Sequence, residues 1–309
     1  MAVTPVRSYY GRSPLKPPVW EPDIAAYLFT GGLSGASALL AAAARADGND
    51  RLARRALLTA MAGLTVSPVL LIRDLGRRER FHHMLRVLKP SSPMSVGSWI
   101  LGAISAATGV AVASDLTGLL PRTGRTAERV ASALGPALST YTAVLLADTA
   151  VPAWHGARTE LPFVFAASSA ASAAGAALVL TPTADAGPAR RLCAGAAVAE
   201  IAAAQLMEHR LGPLATAYRG PLRWVAPGLT GAGAALVAAA GRHRAAAVTG
   251  GLAVLAGSAV ERWRVFRAGH LSAADPAHTL ALQRERIGEG GIAPSPAAVL
   301  PVERGRSPG

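Results

Sequence analysis

The sequence is poor in charge and in aromatic residues. Of its 309 residues only 16% are charged and 5% are aromatic, while 51% are hydrophobic. Soluble domains carry about 25% charged residues, and disordered chains combine low hydrophobicity with abundant charge. The composition therefore argues against an ordinary soluble enzyme and against a disordered chain, and it favours a membrane protein.

The single cysteine, Cys193, limits the chemistry that this chain can hold by itself. One thiol excludes a disulfide framework and a Cys-type zinc site, and an iron–sulfur cluster needs about four thiolates. The seven histidines fall in loops or at the ends of predicted helices, whereas a haem inside a helical bundle usually needs histidines within the spans. We therefore expect no haem, no iron–sulfur cluster and no metal site in this chain.

Eight apolar segments approach the roughly 20 residues that a helix needs to cross a bilayer. No segment alternates apolar and polar residues with period two, so membrane strands are not expected. The sequence predicts an all-α membrane protein with a polar N-terminal segment (1–23), a membrane domain (24–268) and a mobile C-terminal tail (269–309). Glycines in residues 31–35 and 231–233 are expected at close helix contacts. The predicted spans are residues 24–44, 56–72, 96–114, 130–152, 161–181, 192–207, 224–240 and 245–260.

The net charge of +13 is distributed in short clusters between the apolar segments. This pattern is typical of loops that flank membrane spans, so nucleic acid is not an expected partner. Eight spans place both termini on one side, and that side carries 20 of the 31 Lys and Arg residues. The positive-inside rule then predicts a protein of the inner or plasma membrane with both termini in the cytoplasm.

Two acidic residues lie inside predicted spans, where ionisable groups usually mark function. Asp148 lies near the end of the fourth span, and it is either an interfacial carboxylate or a proton acceptor. Glu200 lies near the middle of the sixth span. It is either a neutral carboxyl that bonds to a neighbouring helix or a group that transfers protons.

Two polar, aromatic segments on the terminal side carry recognisable motifs. They comprise YYGR at residues 9–12 and LKPPVW at 15–20, followed by YLFTGG at 27–32 and, later, KPSSPMSVGSW at 89–99. With these motifs the chain resembles the NrfD/polysulfide reductase membrane-subunit family over residues 9–269. The segment at 89–99 is the more specific of the two, because its order of basic, proline, serine and tryptophan residues is improbable by chance between two spans.

The resemblance implies a haem-free membrane anchor made of two four-helix bundles, which binds menaquinone or ubiquinone. It implies two partners, an iron–sulfur (ferredoxin-like) subunit and a molybdopterin-type catalytic subunit. The expected function is electron exchange between membrane quinone and the iron–sulfur partner, in a formate dehydrogenase-like or a polysulfide or nitrite reductase-like complex. This chain would be a quinone-site or non-catalytic subunit of that oxidoreductase.

Position and side-chain chemistry, rather than a matched set of family ligands, predict the site residues on the terminal side. The quinone headgroup is expected at helices one to four, with Asp148 as the proton acceptor and Glu200 as a deeper proton-transfer group. The predicted quinone-binding residues are Tyr27, His82, Lys89, Ser95 and Trp99. The predicted partner-docking residues are Tyr10, Arg12, Lys16 and Trp20.

Two other functions fit the same apolar pattern. A secondary transporter or proton channel would show several buried charges and interrupted helices near the middle of the bilayer. A passive anchor would dock a soluble enzyme without binding quinone at all.

Overall fold

The computed structural model describes residues 15–16 and 18–278, and within these residues the chain is helical without strands. Short 3₁₀ segments occur at Arg78–Leu85, Gly212–Tyr218 and Pro221–Arg223. The α-helices of the described residues are α1 (Pro22–Ala46), α2 (Asp50–Asp74), α3 (Pro93–Thr117), α4 (Pro121–Ala147), α5 (Pro152–Gly156), α6 (Leu161–Leu180), α7 (Gly187–Arg210), α8 (Val225–Ala240) and α9 (Arg244–Ala274). The prediction of an all-α protein is confirmed for this part of the chain.

Six helices in the described residues are long and apolar enough to cross a membrane. They are α1, α2, α3, α4, α6 and the segment Pro221–Ala240, which contains α8. Helices α7, with 24 residues, and α9, with 31, are long enough as well, but they are not apolar enough to belong to this set. Each of the eight predicted spans overlaps one long helix. The fourth span differs from its helix at both ends, and the eighth span differs at its C-terminal end.

The fourth predicted span, 130–152, differs from α4 at both ends. The helix begins at Pro121 and ends at Ala147, so that Asp148 is its C-cap residue. Pro152 then begins the separate short helix α5 at its first position. A proline ring fits the first turn of a helix, where its missing N–H costs no hydrogen bond, so Pro152 suits the start of a new helix.

The eighth predicted span ends at residue 260, whereas α9 continues for 14 more residues to Ala274. At 31 residues the helix is about 46 Å long, which exceeds the roughly 30 Å of a bilayer core. The extension passes residue 268, the predicted end of the membrane domain. The tail beyond residue 278 lies outside the described residues.

Glycines allow the closest helix contacts, as the sequence predicts. A methyl group added at Gly35 of α1 would clash with the backbone carbonyl of Gly135 in α4, and the reverse also holds. An added Cβ at Gly233 of α8 would lie 2.7 Å from the carbonyl oxygen of Gly250 in α9. These approaches bring backbones together without large side chains, which is how helices associate in lipid.

The helix assembly has two ends that ion pairs define. At the terminal end, where α1 begins and α9 ends, Arg210 pairs with Glu160 at 2.8 Å. At the opposite end, the guanidinium of Arg45 lies 2.6 Å from Glu128 and 3.1 Å from Asp115. The predicted quinone-binding residues and Asp148 lie on segments at or near the terminal end.

An aromatic cluster joins the N-terminal segment to α5 and α9 at the terminal end. Trp154 of α5 is completely buried, and its indole N–H donates a 2.7 Å hydrogen bond to the carbonyl of Val265. The ring of Trp20 stacks on Trp154 with 5.5 Å between centroids, and His270 packs edge-on at 6.0 Å. This cluster fixes the chain just before α1 against the last turns of α9.

Candidate functional site

The predicted quinone-binding residues occupy different environments at the terminal end. Tyr27 of α1 is 1% exposed, and its hydroxyl has no hydrogen-bond partner. Trp99 of α3 is 40% exposed, and His82 lies on the exposed 3₁₀ segment Arg78–Leu85. Tyr27 is therefore the member of this set whose polar atom is buried and has no hydrogen-bond partner among the described residues.

Lys89 and Ser95 form the turn before α3. The Ser95 hydroxyl accepts a hydrogen bond from the Lys89 backbone N–H at 3.0 Å and donates one to the Val87 carbonyl at 3.2 Å. The Lys89 side chain is exposed. Within the described residues, no hydrogen bond or ring contact joins this pair to Tyr27, Trp99 or His82. The serine closes the loop locally, and the lysine is available at the surface.

Asp148 is exposed at the C-cap of α4. Its backbone N–H bonds to the carbonyl of Val144, which ends the helix. The carboxylate thus lies at the surface of the terminal end and not inside the assembly.

The predicted docking residues are only partly described. Tyr10 and Arg12 lie outside the described residues, and Lys16 is exposed. Trp20 is half-buried because its ring packs on Trp154, and its carbonyl oxygen lies 3.3 Å from Nε2 of His270. One face of the Trp20 ring therefore packs against another residue of the protein.

Glu200 is buried in α7, as its position within a predicted span suggests. It is 3% exposed, and the hydroxyl of Ser258 in α9 donates a 3.3 Å hydrogen bond to Oε2. The other carboxylate oxygen, Oε1, has no partner. Ser168 of α6 also approaches this carboxyl group, so residues of two other helices contact it.

The buried ionic network that joins α7 and α9 was not predicted from the sequence. Arg264 donates a 2.7 Å bond to Glu261 and a further bond to Glu208, and Arg223 lies 3.5 Å from Glu208. Glu261 and Arg264 are 2% and 6% exposed. Burying such charges is costly unless they are paired, and this network pairs them.

Arg262 is buried at the junction of α1, α6 and α9. Its guanidinium lies 3.7 Å from the centroid of the Phe165 ring and donates to the Phe165 carbonyl at 2.7 Å and to Ser169 Oγ at 2.9 Å. Gly32 of α1 leaves the space beside it, because an added Cβ there would lie 3.1 Å from the guanidinium. The guanidinium group is thereby held where these three helices pack together.

Arg262 and Arg264 were missed because the predicted eighth span ends at residue 260, which places both in a loop. Two signals were available. No proline interrupts the chain between residue 260 and Pro276, and Glu261 and Arg264 have the three-residue spacing of a helical ion pair. The charged residues made this stretch look polar, and for that reason the continuation of the helix was not predicted.

A cavity of about 390 Å³ opens beside this network, between α7, α8 and α9 at the terminal end. Buried polar groups form part of its wall, and the exposed ring of Trp224 lies among the lining residues. The lining residues are Glu200, Ile201, Ala204, Gln205, Glu208, His209, Ala215, Arg219, Arg223, Trp224, Ala226, Pro227, Thr230, Glu261 and Arg264. Of the sequence-predicted site residues, only Glu200 belongs to it.

Glu160, at the N-terminus of α6, ties that helix to the end of α7. Burial alone would raise the pKa of this carboxyl, but hydrogen bonds from Arg210 and Thr159 outweigh burial and lower the pKa below its usual value. The charged form is therefore the form that the fold holds at neutral pH. The pair fixes the terminal ends of α6 and α7 next to the cavity.

The length and composition of the helices, with their buried polar groups, define an integral membrane protein. A family model described as polysulphide reductase, NrfD, matches residues 13–191, and the chain belongs to this family. No curated protein matches the sequence. Family membership and membrane-like helices indicate a membrane anchor subunit of a reductase complex. The match ends before Glu200, so every residue that lines the α7–α9 cavity lies beyond it.

Proposed function

We propose that this chain is the quinone-interacting membrane subunit of an oxidoreductase, and that it exchanges electrons between membrane quinone and an iron–sulfur partner. The observation that carries the proposal is the family match over residues 13–191, which includes residues 13–23 of the N-terminal segment and the motif at 89–99. The chain has one cysteine, and it is buried, so the clusters must belong to another polypeptide.

The partners that we propose are a ferredoxin-like iron–sulfur subunit, docked at the terminal end, and a molybdopterin-type catalytic subunit beyond it. The docking surface would consist of the N-terminal segment, with Tyr10, Arg12, Lys16 and Trp20. The stacking of Trp20 on Trp154 supports this assignment, because it anchors the segment against the helices. A docked partner would then meet a preformed surface.

The headgroup of menaquinone or ubiquinone would bind at the terminal end of α1–α4. Tyr27 supports this location, because its buried hydroxyl has no partner in the protein and could donate to a quinone carbonyl. Lys89, Ser95, His82 and Trp99 would complete the site from the segment before α3 and from α3 itself. Asp148 would exchange the protons with water at the surface, and Glu200 would serve a separate, internal proton transfer.

We further propose that eight helices cross the membrane as two four-helix bundles, α1–α4 and α6–α9. Contacts between α1 and α2, α3 and α4, and α1 and α4 support the first bundle. Contacts between α6 and α7, α8 and α9, and α6 and α9 support the second. With both termini in the cytoplasm of a cell-membrane protein, a periplasm-active reporter fused at Gly309 should be inactive, and its activity would contradict this orientation.

The functional test is binding of a short-chain quinone to the purified chain in lipid nanodiscs. Tyr27→Phe should weaken binding about threefold to tenfold, since one hydrogen bond is lost. In the assembled complex, Asp148→Asn should slow quinone turnover and leave co-purification of the iron–sulfur subunit unchanged. Wild-type protein that binds no quinone would refute the proposal and would favour a passive anchor.

A proton channel or secondary transporter is the second candidate, and the buried charges on α7 and α9 favour it. The sequence shows one mid-span acid, whereas the structure buries Glu261, Arg262 and Arg264 as well. Such groups often mark ion pathways. Proteoliposomes that contain the chain alone distinguish the two functions, because a channel would conduct protons under an applied potential without quinone or partner.

A further inference from the structure

Several residues that line the α7–α9 cavity carry buried polar atoms without a hydrogen-bond partner among the described residues. Glu200 and Glu261 each have an unpartnered Oε1, and Thr230 has an unpartnered hydroxyl. These three residues are at most 3% exposed, and all of them line the cavity. Unsatisfied buried polar groups are costly, so an occupant that can bond to them is expected. Arg264, which also lines the cavity, adds a buried Nε–H donor without a partner among the described residues, so the occupant should both donate and accept hydrogen bonds, as a hydroxyl group does.

Apolar residues form another part of the cavity wall, beside the charged and polar ones. Ile201 and Ala204 contribute from α7, and Ala226 and Pro227 contribute from α8. Trp224, at the start of α8, is 71% exposed, and Thr230 lies about 8 Å further along the helix axis. A ligand that has a flat or alkylated part and one polar edge matches the apolar and the polar residues of this cavity wall.

Charge excludes simple ions as the occupant. The lining carboxylates are Glu200, Glu208 and Glu261, and the lining guanidinium groups are Arg219, Arg223 and Arg264. Equal numbers of both signs leave no excess attraction for a free cation or a free anion. A neutral ligand is therefore favoured, and its volume must suit about 390 Å³.

We propose that this cavity is a second quinone-type site, which binds the headgroup of a lipophilic hydroquinone through hydrogen bonds from its hydroxyls to Glu261 and Glu200. Thr230 bonds to the same polar edge, and the ring lies against Ala204 and Ala226. The hydroxyl donors match the unused acceptors, whereas the oxidised quinone has only carbonyl acceptors. The inference rests on the proposed function in one respect, which is that the chain encounters quinol. The site in the cavity is separate from the proposed site at Tyr27.

The test measures the stoichiometry and affinity of decylubiquinol for the full chain in nanodiscs under anaerobic conditions. Thr230→Val keeps the shape and removes the hydroxyl, so one of two binding sites should weaken about threefold to tenfold. Ala204→Leu fills the cavity and should abolish the same site. Thr249→Val is the matched control, because Thr249 is exposed on α9 and bonds to the Ala245 carbonyl of its own helix.

The outcomes separate the two proposals. Two sites, of which one responds to Thr230→Val and Ala204→Leu and the other to Tyr27→Phe, would establish the cavity as a hydroquinone site. A single site that responds only to Tyr27→Phe would refute the second site and leave the proposed function intact. Absence of any binding to wild-type protein would refute both. Circular dichroism and size-exclusion profiles identify a variant that fails to fold, and the other cavity variant then decides the result.

Discussion

Trp154→Phe should destabilise the protein by about 2–3 kcal/mol. The substitution removes the 2.7 Å hydrogen bond to the Val265 carbonyl, which contributes about 0.5–1.5 kcal/mol. It also leaves a void of several heavy atoms in a site that is completely buried, which costs about 1–2 kcal/mol. The melting temperature in detergent should fall by about 4–10 °C.

Trp224→Phe is the matched control, because it makes the same chemical change at a ring that is 71% exposed. Its melting temperature should stay within about 2 °C of wild type. The measurement is thermal unfolding followed by intrinsic fluorescence or by loss of monodispersity. Equal effects of the two substitutions would refute the reasoning, because the burial and the hydrogen bond of Trp154 would then contribute nothing.

Two further predictions concern the ends and the contacts of the helices. Because the fold lowers the pKa of Glu160, the stability that this carboxyl contributes is present above its unfolded-state pKa and is lost as pH falls through the folded value. Glu160→Gln should therefore lower the melting temperature by about 1–3 °C at pH 7 and by less near pH 4, and a constant difference would contradict this. Gly35→Leu should prevent stable assembly through its clash with Gly135, whereas Gly109→Leu in α3, with no atom near its Cβ position, should fold normally; similar yields of both variants in detergent would contradict the close contact.

Composition and local pattern were enough to predict the helices and several of their contacts. Long apolar segments predict helices, because backbone N–H and C=O groups in lipid must form their hydrogen bonds within the segment. Gly32, Gly35 and Gly233 lie at close contacts, as expected. The end of α9 could not be found in the same way. Hydropathy treats Glu261 and Arg264 as loop residues, whereas their pairing with each other and with Glu208 keeps them inside.

The candidate site was less predictable than the fold. Tyr27 was selected as a ring near the terminal end, and its quinone-binding role stays a prediction; the burial of its hydroxyl could not be read from the sequence. The cavity depends on how α7, α8 and α9 diverge, and no local pattern encodes the space between three helices. Glu200 was visible as a mid-span acid, but its neighbours Thr230 and Glu261 come from helices that the sequence separates by up to 61 residues.

The direction of the helices bears on how many of them cross the membrane. Helix α6 begins at the terminal end, where Glu160 meets Arg210, and it ends at the opposite end, where Arg244 donates to the Thr181 carbonyl at 2.8 Å. Helix α8 begins at the terminal end too, since Arg223 just before it pairs with Glu208. If α6 and α8 both cross in the same direction, the chain must return between them, and α7 is the segment that returns.

The same reasoning applies to α9. It begins beside the end of α6, and its last turns bring His270 to the carbonyl of Trp20 at the terminal end. A charge that faces lipid costs about 2.5–3.5 kcal/mol at mid-bilayer, but Glu261 and Arg262 face the interior of the assembly and are no more than 2% exposed. Charged residues lower the hydropathy of α7 and α9, so a count of spans by hydropathy leaves both helices out. These charges are nevertheless compatible with crossing, because other helices rather than lipid surround them. This geometry is the one that the proposed eight crossings require, and under that proposal the buried network and its cavity lie inside the second bundle.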